Sequence, residues 1–394
     1  MKTLDTFNFS GKKALVRVDF NVPLNDKFEI TDDTRLKAVI PTVNKILKDG
    51  GSAILMSHLG RPKDGPTEKY SLKHVVSYLK DAFNTDVKFA TACIGQDAKD
   101  LAADLKPGQI LLLENLRFYK EEEKGDIEFA KKLSQLGDVY VNDAFGTAHR
   151  AHASTAVIAQ FFTEKVCGYV MQAELDNAKK VLETAESPYT AIMGGSKVSD
   201  KILIIETLLD KVDTLIIAGG MAYTFFKALG GSVGTSLLQE EQIPTALKVL
   251  DIAKQKGVKL LLPVDNLIAT EFSNDSERKV NTGINIPDGW MGLDIGPESI
   301  KLFSEEIEKS KTVLWNGPTG VFEFENFAKG TFSVAESVVK ATKNGAFSLI
   351  GGGDSASAIN NLGFGDDVSY VSTGGGALLE YMEGKTLPGV AALQ

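Results

Sequence analysis

The sequence predicts an α/β protein with two doubly wound parallel-sheet domains joined by a helical hinge. Short β-branched or leucine-rich runs alternate along the whole chain with longer segments of helical period, as in buried parallel sheets covered by helices. The chain has 394 residues, which exceeds the roughly 250 to 300 at which a single hydrophobic core stops growing. One amphipathic segment near the middle separates two similar sets of strand candidates.

Each predicted strand is a short apolar run followed by a helix-sized interval. In the first half, residues 1–170, we predict strands at 14–18, 53–56, 87–90, 110–113 and 139–141. In the second half, residues 188–377, we predict strands at 190–193, 215–218, 259–262, 312–315, 347–350 and 370–371. The two halves are therefore expected to form two similar domains.

A connecting helix is predicted over residues 171–187. Apolar residues recur there at helical spacing among charged ones, and Ser187-Pro188 ends the pattern, since the residue before a proline is biased away from the helix. No linker rich in Pro, Gly or Ser occurs, so we expect a stiff hinge rather than a flexible tether. The last residues, about 378–394, are expected to pack back on the first domain.

Composition narrows the function classes. The net charge of -9 argues against general binding to nucleic acids or membrane surfaces, because such binding draws on clustered cationic charge. Cys93 and Cys167 show no zinc or CxxC spacing, which suits structural thiols in a reducing compartment. The chain begins without an apolar signal core and contains no apolar run long enough for a membrane span. We expect a cytoplasmic protein.

Arginine and histidine are concentrated in the first half. Five of the six arginines and all four histidines lie within residues 1–152. Most of them follow a predicted strand, in the segments 19–21, 57–61, 114–117 and 142–152. Ligands of open α/β sheets bind beyond the carboxyl ends of the strands, and planar guanidinium groups suit phosphate and carboxylate. The first half is therefore predicted to hold an anion, with Arg35 at a helix start within reach of the same rim.

A structural role is the alternative for each of these side chains. A single arginine often forms a surface or interdomain salt bridge, although the set of five favours an anion site. His58 is predicted to contact the substrate, and His74, on an amphipathic helix, is predicted to be structural. The roles of His149 and His152 stay open.

Glycine has the opposite distribution, with 26 of 37 copies after Met171. A strand ends at Gly194-Gly195-Ser196-Lys197, and Val198-Ser199-Asp200-Lys201 is predicted to open the next helix. Backbone N–H groups at a helix start, with two lysines one turn apart, favour phosphate binding. A turn with two solvated lysines is the alternative. Similar glycine turns follow later strands at 219–220, 351–353 and 374–376.

Two acidic residues near these turns have open roles. Asp354 offers a carboxylate to a Mg²⁺ ion bound to phosphates, but it is equally suited to cap a helix. Glu323 follows the loop 315–320 and is placed to accept hydrogen bonds from a ribose. Ordinary turn chemistry explains that loop as well.

Taken together, these motifs resemble the phosphoglycerate kinase family over essentially the whole chain. The resemblance rests on motifs that occur in the family's order: Arg17-Val18-Asp19-Phe20-Asn21-Val22-Pro23, Ser57-His58-Leu59-Gly60-Arg61-Pro62, and the segments 142–152, 194–201, 315–323, 351–355 and 387–390. It implies two Rossmann-like domains that close over their ligands. It also implies reversible, Mg²⁺-dependent phosphoryl transfer in glycolysis, between 1,3-bisphosphoglycerate with ADP and 3-phosphoglycerate with ATP. We expect a monomer.

The resemblance also implies the residues of the site. Phosphoglycerate would be held by Asp19, Phe20, Asn21, Arg35, His58, Leu59, Gly60, Arg61, Arg117 and Arg150. The nucleotide would be held by Lys201, Gly292, Glu323, Gly352, Gly353, Asp354 and Ser355, with Asp354 as the metal ligand. Catalysis would use Arg35, Lys197, Lys201 and Gly375, and Lys197 would follow the phosphoryl group between its two positions.

Three positions depart from the family pattern without removing a charge or a glycine. Ser196 stands where alanine is frequent, Ser355 where threonine is frequent, and Leu378 where serine is frequent. Leu378 puts in doubt any hydroxyl contact to phosphate near the helix start at 374–376.

Two other functions fit the sequence less well. Residues 351–356 fit the dinucleotide pattern G-x-G-x-x-A, but the end of the next strand, 370–373, has no acidic residue for a ribose. A non-catalytic two-lobed binding protein would usually carry an export signal, and the sequence shows none. Both are less favoured than a phosphotransferase.

Overall fold

The computed structural model describes residues 1–63 and 65–394 and divides into two compact units. The first unit contains Met1–Asp176 and Thr386–Gln394, and the second contains Asn177–Lys385. Each unit is built around its own parallel β-sheet. The α/β prediction with two parallel sheets is confirmed.

The first unit contains a seven-stranded sheet in which every neighbouring pair is parallel. Its strands are β1 (Lys2–Thr3), β2 (Lys13–Arg17), β3 (Ser52–Met56), β4 (Val87–Ala90), β5 (Ile110–Leu113), β6 (Val139–Asn142) and β7 (Lys165–Cys167), in the order β1-β7-β6-β2-β3-β5-β4. Its helices are α1 (Thr34–Lys48), α2 (Val76–Phe83), α3 (Gln96–Ala103), α4 (Lys120–Lys124) and α5 (Ile127–Ser134). The apolar runs form strands because both faces of the sheet are buried under helices.

The second unit contains a six-stranded parallel sheet and a three-stranded antiparallel sheet. The parallel strands are β8 (Tyr189–Met193), β9 (Thr214–Ile217), β10 (Lys259–Leu261), β14 (Thr312–Asn316), β15 (Phe347–Gly351) and β16 (Tyr370–Val371), in the order β10-β9-β8-β14-β15-β16. The antiparallel strands are β11 (Asp265–Ala269), β12 (Arg278–Thr282) and β13 (Met291–Ile295), with β11 in the centre. Its helices are α7 (Ile202–Leu208), α8 (Met221–Ala228), α9 (Ile243–Lys256), α10 (Pro297–Glu308), α11 (Lys329–Lys343), α12 (Gly353–Asn361) and α13 (Gly376–Met382).

All eleven predicted strands are present, and five strands were not predicted. β1 and β7 are only two and three residues long, too short for a periodicity to show. β12 is largely exposed and reads Arg-Lys-Val-Asn-Thr, so it lacks the apolar run of a buried parallel strand. The antiparallel sheet was therefore missed as a whole.

The connecting helix α6 runs over Tyr169–Leu182. The Oδ1 atom of Asp143 accepts hydrogen bonds from the N–H groups of Val170 and Met171, at 2.8 and 3.2 Å, and so caps the helix start. The helix ends at Leu182, before the predicted 187, and Glu186 beyond it exchanges two hydrogen bonds with the side chain of Thr312 at the start of β14. The boundary between the compact units falls inside α6, after Asp176.

The chain returns to the first unit at Thr386 rather than near 378. α13 contacts α7 and so belongs to the second unit. The last helix, α14 (Pro388–Ala391), is anchored in the first unit, where the N–H of Gly389 donates to the carbonyl of Ala148 at 2.8 Å. Within the described residues, none of the helices has the length and apolar character that crossing a membrane requires.

Candidate active site

The predicted anion-binding residues of the first unit lie behind four adjacent strands. Segment 19–21 follows β2, segment 58–61 follows β3, Arg117 follows β5, and Arg150 follows β6. The order β6-β2-β3-β5 makes these strands neighbours, and they are parallel. Their carboxyl ends therefore share one edge of the sheet, and the fold brings the segments together there.

Backbone and side-chain hydrogen bonds fix the loops at this edge. The side-chain oxygen of Asn21 accepts from the N–H of Gly60 at 2.8 Å, and Arg117 donates from Nη1 to the carbonyl of Gly60 at 2.9 Å. Gly60 has a φ of 63°, and a Cβ atom there would lie 2.3 Å from the ring of Tyr70. Only glycine fits this position, and it sets the approach of the two loops.

Arg35 sits at the start of α1, on the same rim. Its Nη1 atom donates to the carbonyl of Asn21 at 2.9 Å and lies 3.3 Å from Oδ2 of Asp19. The described part of the chain offers its Nε and Nη2 atoms no hydrogen-bond partner, and the side chain is 36% exposed. One edge of the guanidinium group is thus anchored, while its other donors remain able to bind a ligand.

His58 is buried and electrically neutral. Its Nδ1 atom lies 3.2 Å from Nη2 of Arg17, and a guanidinium group can only donate, so Nδ1 accepts and the ring proton is on Nε2. Burial, followed by the charges of Arg17, Arg117 and Arg35, holds the pKa of His58 well below its ordinary value. The ring therefore offers a neutral N–H donor at pH 7.

His152, whose role the sequence left open, is also close to several arginine side chains. Burial, and after it the charges of Arg117, Arg17 and Arg150, lower the pKa of His152 to about 4. The pKa of Arg117 is lowered by burial and by Arg17, Arg150 and Arg61, against a raising effect of Glu123. Each of the five arginines of the first half therefore lowers the pKa of at least one of His58, His152 and Arg117.

The other predicted residues of this rim contribute in different ways. Phe20 and Leu59 have buried side chains, and the N–H of Phe20 donates to Ser57 Oγ at 2.8 Å. Arg61 is exposed, and Nε of Arg150 donates to the His149 ring at 3.2 Å. Of this set, only the charged and amide side chains and His58 present polar side-chain atoms for a ligand.

The second unit contains a cavity of about 510 Å³. Its lining is Gly195, Ser196, Gly219, Gly220, Tyr223, Thr235, Leu237, Phe272, Met291, Gly292, Leu293, Pro318, Thr319, Gly320, Val321, Glu323, Phe324 and Asp354. One part of the wall is apolar, and the other part consists of glycine turns with the hydroxyl side chains of Ser196, Thr235 and Thr319 and the carboxylates of Glu323 and Asp354. An apolar wall beside a few polar groups is the usual composition of a small-molecule site.

Lys201 is held beside this cavity by Asn316. The Nζ atom donates to the carbonyl of Asn316 at 2.9 Å and to its side-chain oxygen. Burial lowers the pKa of Lys201 to about 8, although Asp354 and Asp200 act in the opposite direction. Lys201 precedes α7 instead of lying inside its first turn, because the helix begins only at Ile202.

The start of α12 provides backbone donors next to the cavity. Gly352 caps the helix with a φ of 88°, and the first intrahelical bond runs from the N–H of Ala356 to its carbonyl at 3.1 Å. The N–H groups of Gly353, Asp354 and Ser355 precede that bond and have no intrahelical acceptor. The Ser355 hydroxyl is buried and accepts from the N–H of Gly317 at 2.6 Å. The Ser355 hydroxyl is therefore engaged in a contact within the protein.

The exposed carboxylate of Asp354 fits a Mg²⁺ ion that arrives with phosphates. It lines the cavity at a helix start, beside the cationic Lys201. Mg²⁺ keeps several waters and binds proteins through one or two carboxylates together with phosphate oxygens. No group of three or more potential metal-ligating His, Cys, Asp or Glu residues occurs within the described residues, and a nucleotide-borne ion requires none.

Two further catalytic candidates lie on other loops of the second unit. Lys197 is exposed in the loop between β8 and α7. Gly375 caps α13 with a φ of 52°, a conformation that favours glycine. Leu378 is fully buried, and a Cβ built on Gly351 would lie 2.8 Å from it. This side chain therefore packs against the end of β15.

The family model described as phosphoglycerate kinase matches residues 4–385. The chain belongs to the phosphoglycerate kinase family. It is 54% identical to the phosphoglycerate kinase of Porphyromonas gingivalis over 100% of both chains. It is also 54% identical to the cytosolic phosphoglycerate kinase of Triticum aestivum, over 99% of this chain and 97% of the relative.

Solved structures of phosphoglycerate kinases share the fold. The Coxiella burnetii structure has a TM-score of 0.89 and 39% identity, covering 99% of this chain and 98% of that one. The Pyrococcus horikoshii structure has a TM-score of 0.82 and 30% identity, covering 100% and 98%. Membership makes this chain a glycolytic phosphotransferase, so the dehydrogenase and the non-catalytic binding protein are set aside.

Sequence reasoning did not identify several residues that surround the cavity of the second unit. Met291 and Leu293 line the cavity from the unpredicted strand β13, and Phe272 lines it from the loop after β11. Asn316 was noted only as part of a turn, yet it is the partner of Lys201. Its position directly behind a predicted strand is the signal that identifies it in retrospect.

Proposed function

We propose that the first unit binds 3-phosphoglycerate or 1,3-bisphosphoglycerate, and that the second unit binds ATP or ADP with Mg²⁺. The observation that carries this assignment is a difference between the two units. The first unit has several guanidinium groups and a neutral histidine at one sheet edge. The second unit has a cavity of about 510 Å³ beside helix-start N–H groups that have no intrahelical acceptor. Side-chain cations suit a small phosphorylated acid, and backbone amides suit a polyphosphate.

The proposed phosphoglycerate contacts divide by chemistry. The cations Arg35, Arg61, Arg117 and Arg150 bind phosphate and carboxylate oxygens. His58 donates from Nε2, while Asp19 and Asn21 suit a hydroxyl group. Phe20, Leu59 and Gly60 shape the loops that carry these groups.

The proposed nucleotide contacts follow the cavity. Gly292 and the apolar wall face the base, and Glu323 accepts from the ribose hydroxyls. Lys201 and the N–H groups of Gly352, Gly353, Asp354 and Ser355 bind the phosphates. When bound, Mg²⁺ supplies positive charge to the phosphate oxygens, and Asp354 is the residue that would hold it.

The chemical step needs no general base. The acceptor in the ATP-consuming direction is a carboxylate, which is already ionised at pH 7. Catalysis then rests on in-line positioning and on neutralising charge at the equatorial oxygens of the transferred group. Arg35, Lys197, Lys201 and the N–H groups at Gly375 are the groups of this chain that would do so.

The two ligands bind on different units, so transfer requires the units to bring them together and exclude water from the acyl phosphate. α6 is the proposed hinge, since the unit boundary lies within it. We further propose a cytoplasmic monomer. The wheat relative is named as cytosolic, which supports the compartment.

An assay with purified protein tests the proposed function. With 3-phosphoglycerate, ATP and Mg²⁺ supplied, ADP should form in step with an acyl phosphate that hydroxylamine traps. Omitting 3-phosphoglycerate is the control and should abolish ADP formation. ADP release that does not depend on 3-phosphoglycerate would refute the substrate assignment.

A further inference from the structure

A chain of hydrogen bonds lies buried behind His58. The carboxylate of Glu122 accepts from the N–H of Ser154 at 3.0 Å and from its hydroxyl. Ser154 Oγ accepts from Nε of Arg17 at 2.8 Å, and Nη2 of Arg17 reaches Nδ1 of His58 at 3.2 Å. All four residues are at most 4% exposed. We call this the Glu122–Ser154–Arg17 chain.

We propose that Glu122 and Ser154 are positioning residues, which act through Arg17 to hold His58 in the Nε2–H tautomer that binds phosphoglycerate. The proposal rests on the function proposed above for His58. Glu122 lies at the far end of the chain and acts without touching the substrate itself.

The direction of each hydrogen bond follows from what each group can donate. An ionised carboxylate only accepts, so the Ser154 hydroxyl must give its single proton to Glu122. Its lone pairs then face the Nε–H of Arg17, and Arg17 in turn presents an N–H to Nδ1 of His58. A ring whose Nδ1 accepts must carry its proton on Nε2. The guanidinium group of Arg17 can only donate and so fixes the tautomer of the ring, while Glu122 and Ser154 hold that group in place against Nδ1.

Burial and charge act on Glu122 in opposite directions. The pKa of Glu122 is raised, because burial outweighs the charge of Arg17 and the hydrogen bonds from Ser154. The cation and the two Ser154 donors offset part of the cost of ionising the buried carboxylate. The Nη1 atom of Arg17 also donates to the carbonyl of Val18, which fixes the guanidinium plane. A fixed plane directs Nη2 at one nitrogen of His58.

A second set of contacts holds the backbone around Ser154 independently of its hydroxyl. Tyr140 donates from its hydroxyl to the carbonyl of Ser154 at 2.7 Å. The side chain of Asn142 donates to the carbonyl of Thr155 at 3.1 Å, and the N–H of Ala153 donates to the carbonyl of Glu122 at 2.9 Å. Removing the Ser154 hydroxyl should therefore break the chain while leaving the segment in place.

The test uses Ser154→Ala and Glu122→Gln, with Tyr140→Phe as a matched control. Tyr140→Phe removes a buried hydrogen bond to Ser154 but leaves the Glu122–Ser154–Arg17 chain intact. The readouts are the ring ¹⁵N shifts of His58, KM for each substrate, and the melting temperature. The chain has only four histidines, so comparison with His58→Gln assigns the His58 signal.

In the wild-type protein at pH 8, we expect His58 to show one protonated ring nitrogen, Nε2. In Ser154→Ala and Glu122→Gln, the Nδ1–H form should appear, and KM for 3-phosphoglycerate should rise about tenfold, as for a lost hydrogen bond to a charged group. KM for ATP should stay unchanged. Tyr140→Phe should lower the melting temperature without altering either the His58 spectrum or KM. Ser154→Thr keeps the hydroxyl, so it should show the wild-type His58 spectrum and the wild-type KM for 3-phosphoglycerate.

Unchanged His58 shifts and unchanged KM in a folded Ser154→Ala protein would overturn the proposal. If Glu122→Gln fails to fold, Ser154→Ala and the wild-type spectrum still test the proposal. A wild-type His58 that carries its proton on Nδ1 would contradict the Glu122–Ser154–Arg17 chain directly. Failure of the proposed function would appear separately, as no 3-phosphoglycerate-dependent ADP in the wild-type enzyme. The tautomer measurement does not depend on that assay.

Discussion

At the scale of single residues, burial separates arginines that the sequence presents as alike. Arg17 is 1% exposed, and its three nitrogens bind Ser154, Val18 and His58. Arg35 is 36% exposed and uses one nitrogen for protein contacts. A guanidinium group whose donors are occupied organises a site, whereas one with unoccupied donors can bind a ligand. Arg35 is therefore the arginine to test for direct catalysis.

Replacing Arg35 with alanine should lower kcat roughly 10³-fold, by analogy with arginine fingers that stabilise a transferred phosphoryl group. Arg278→Ala is the control, since that exposed side chain donates to Asn326 on the second unit, away from the proposed contacts. Steady-state kinetics in both directions measure the effect. Near-normal turnover of a correctly folded Arg35→Ala enzyme would remove Arg35 from the mechanism.

Lys201 should make nucleotide use dependent on pH. Its pKa is lowered to about 8 by burial, so the free enzyme carries the ammonium charge below pH 8 and loses it above. If that charge binds phosphate, kcat/KM for ATP should fall with a slope of one proton as the pH rises from about 8 to 9.5. Lys201→Arg should remove this decline, because arginine stays charged.

The pH dependence of kcat/KM for 3-phosphoglycerate is the internal control for the Lys201 prediction. A decline in kcat/KM for both substrates in parallel would indicate a general loss of structure or a different titrating group. A profile for ATP that remains level to pH 9.5 would contradict a binding role for the ammonium group.

At the scale of secondary-structure elements, the start of α12 and the loop after β14 are connected by one buried contact. Ser355, in the first turn of α12, accepts the N–H of Gly317 at 2.6 Å. β14 and β15 are neighbouring parallel strands, so the two segments leave the same sheet edge. The contact fixes the loop that carries Pro318, Thr319 and Gly320 to the cavity wall.

Ser355→Ala should weaken nucleotide binding although its hydroxyl faces the protein. The buried N–H of Gly317 would lose its acceptor, at a cost of about 1–3 kcal/mol in the free energy of unfolding. KM for ATP should rise several-fold, and KM for 3-phosphoglycerate should not change. Ser357→Ala, on an exposed face of the same helix, is the control. Equal KM values in the two variants would show that this contact has no part in forming the nucleotide site.

Elements also show which parts of the fold are predictable from sequence. Strands such as β5 and β14 are buried on both faces and consist of short apolar runs, so composition alone indicates them. β12 is charged and exposed, and it is a strand only because β11 pairs with it. The rim of the first unit was predictable because its residues follow predicted strands. Tyr223 and Leu237 in the cavity wall lie in helix and loop segments with no such marker.

At the scale of the whole molecule, two units with separate cores present two chemically different sites. The net charge of -9 means that anionic substrates are attracted locally and against the overall charge. In the proposed sites, arginines at one sheet edge of the first unit would provide that attraction, and helix-start N–H groups together with Lys201 would provide it in the second unit. The proposed transfer would require both sites to be filled.

Filling both sites should therefore make the molecule more compact. Small-angle scattering should show a decrease in the radius of gyration when 3-phosphoglycerate and a non-hydrolysable ATP analogue with Mg²⁺ are present together. Either ligand alone should have a smaller effect, since α6 then has one filled site and no bridging contact. The four states to compare are the free enzyme, the enzyme with either ligand alone, and the enzyme with both. An equal radius of gyration in all four would contradict a closure through α6 that brings the two ligands together.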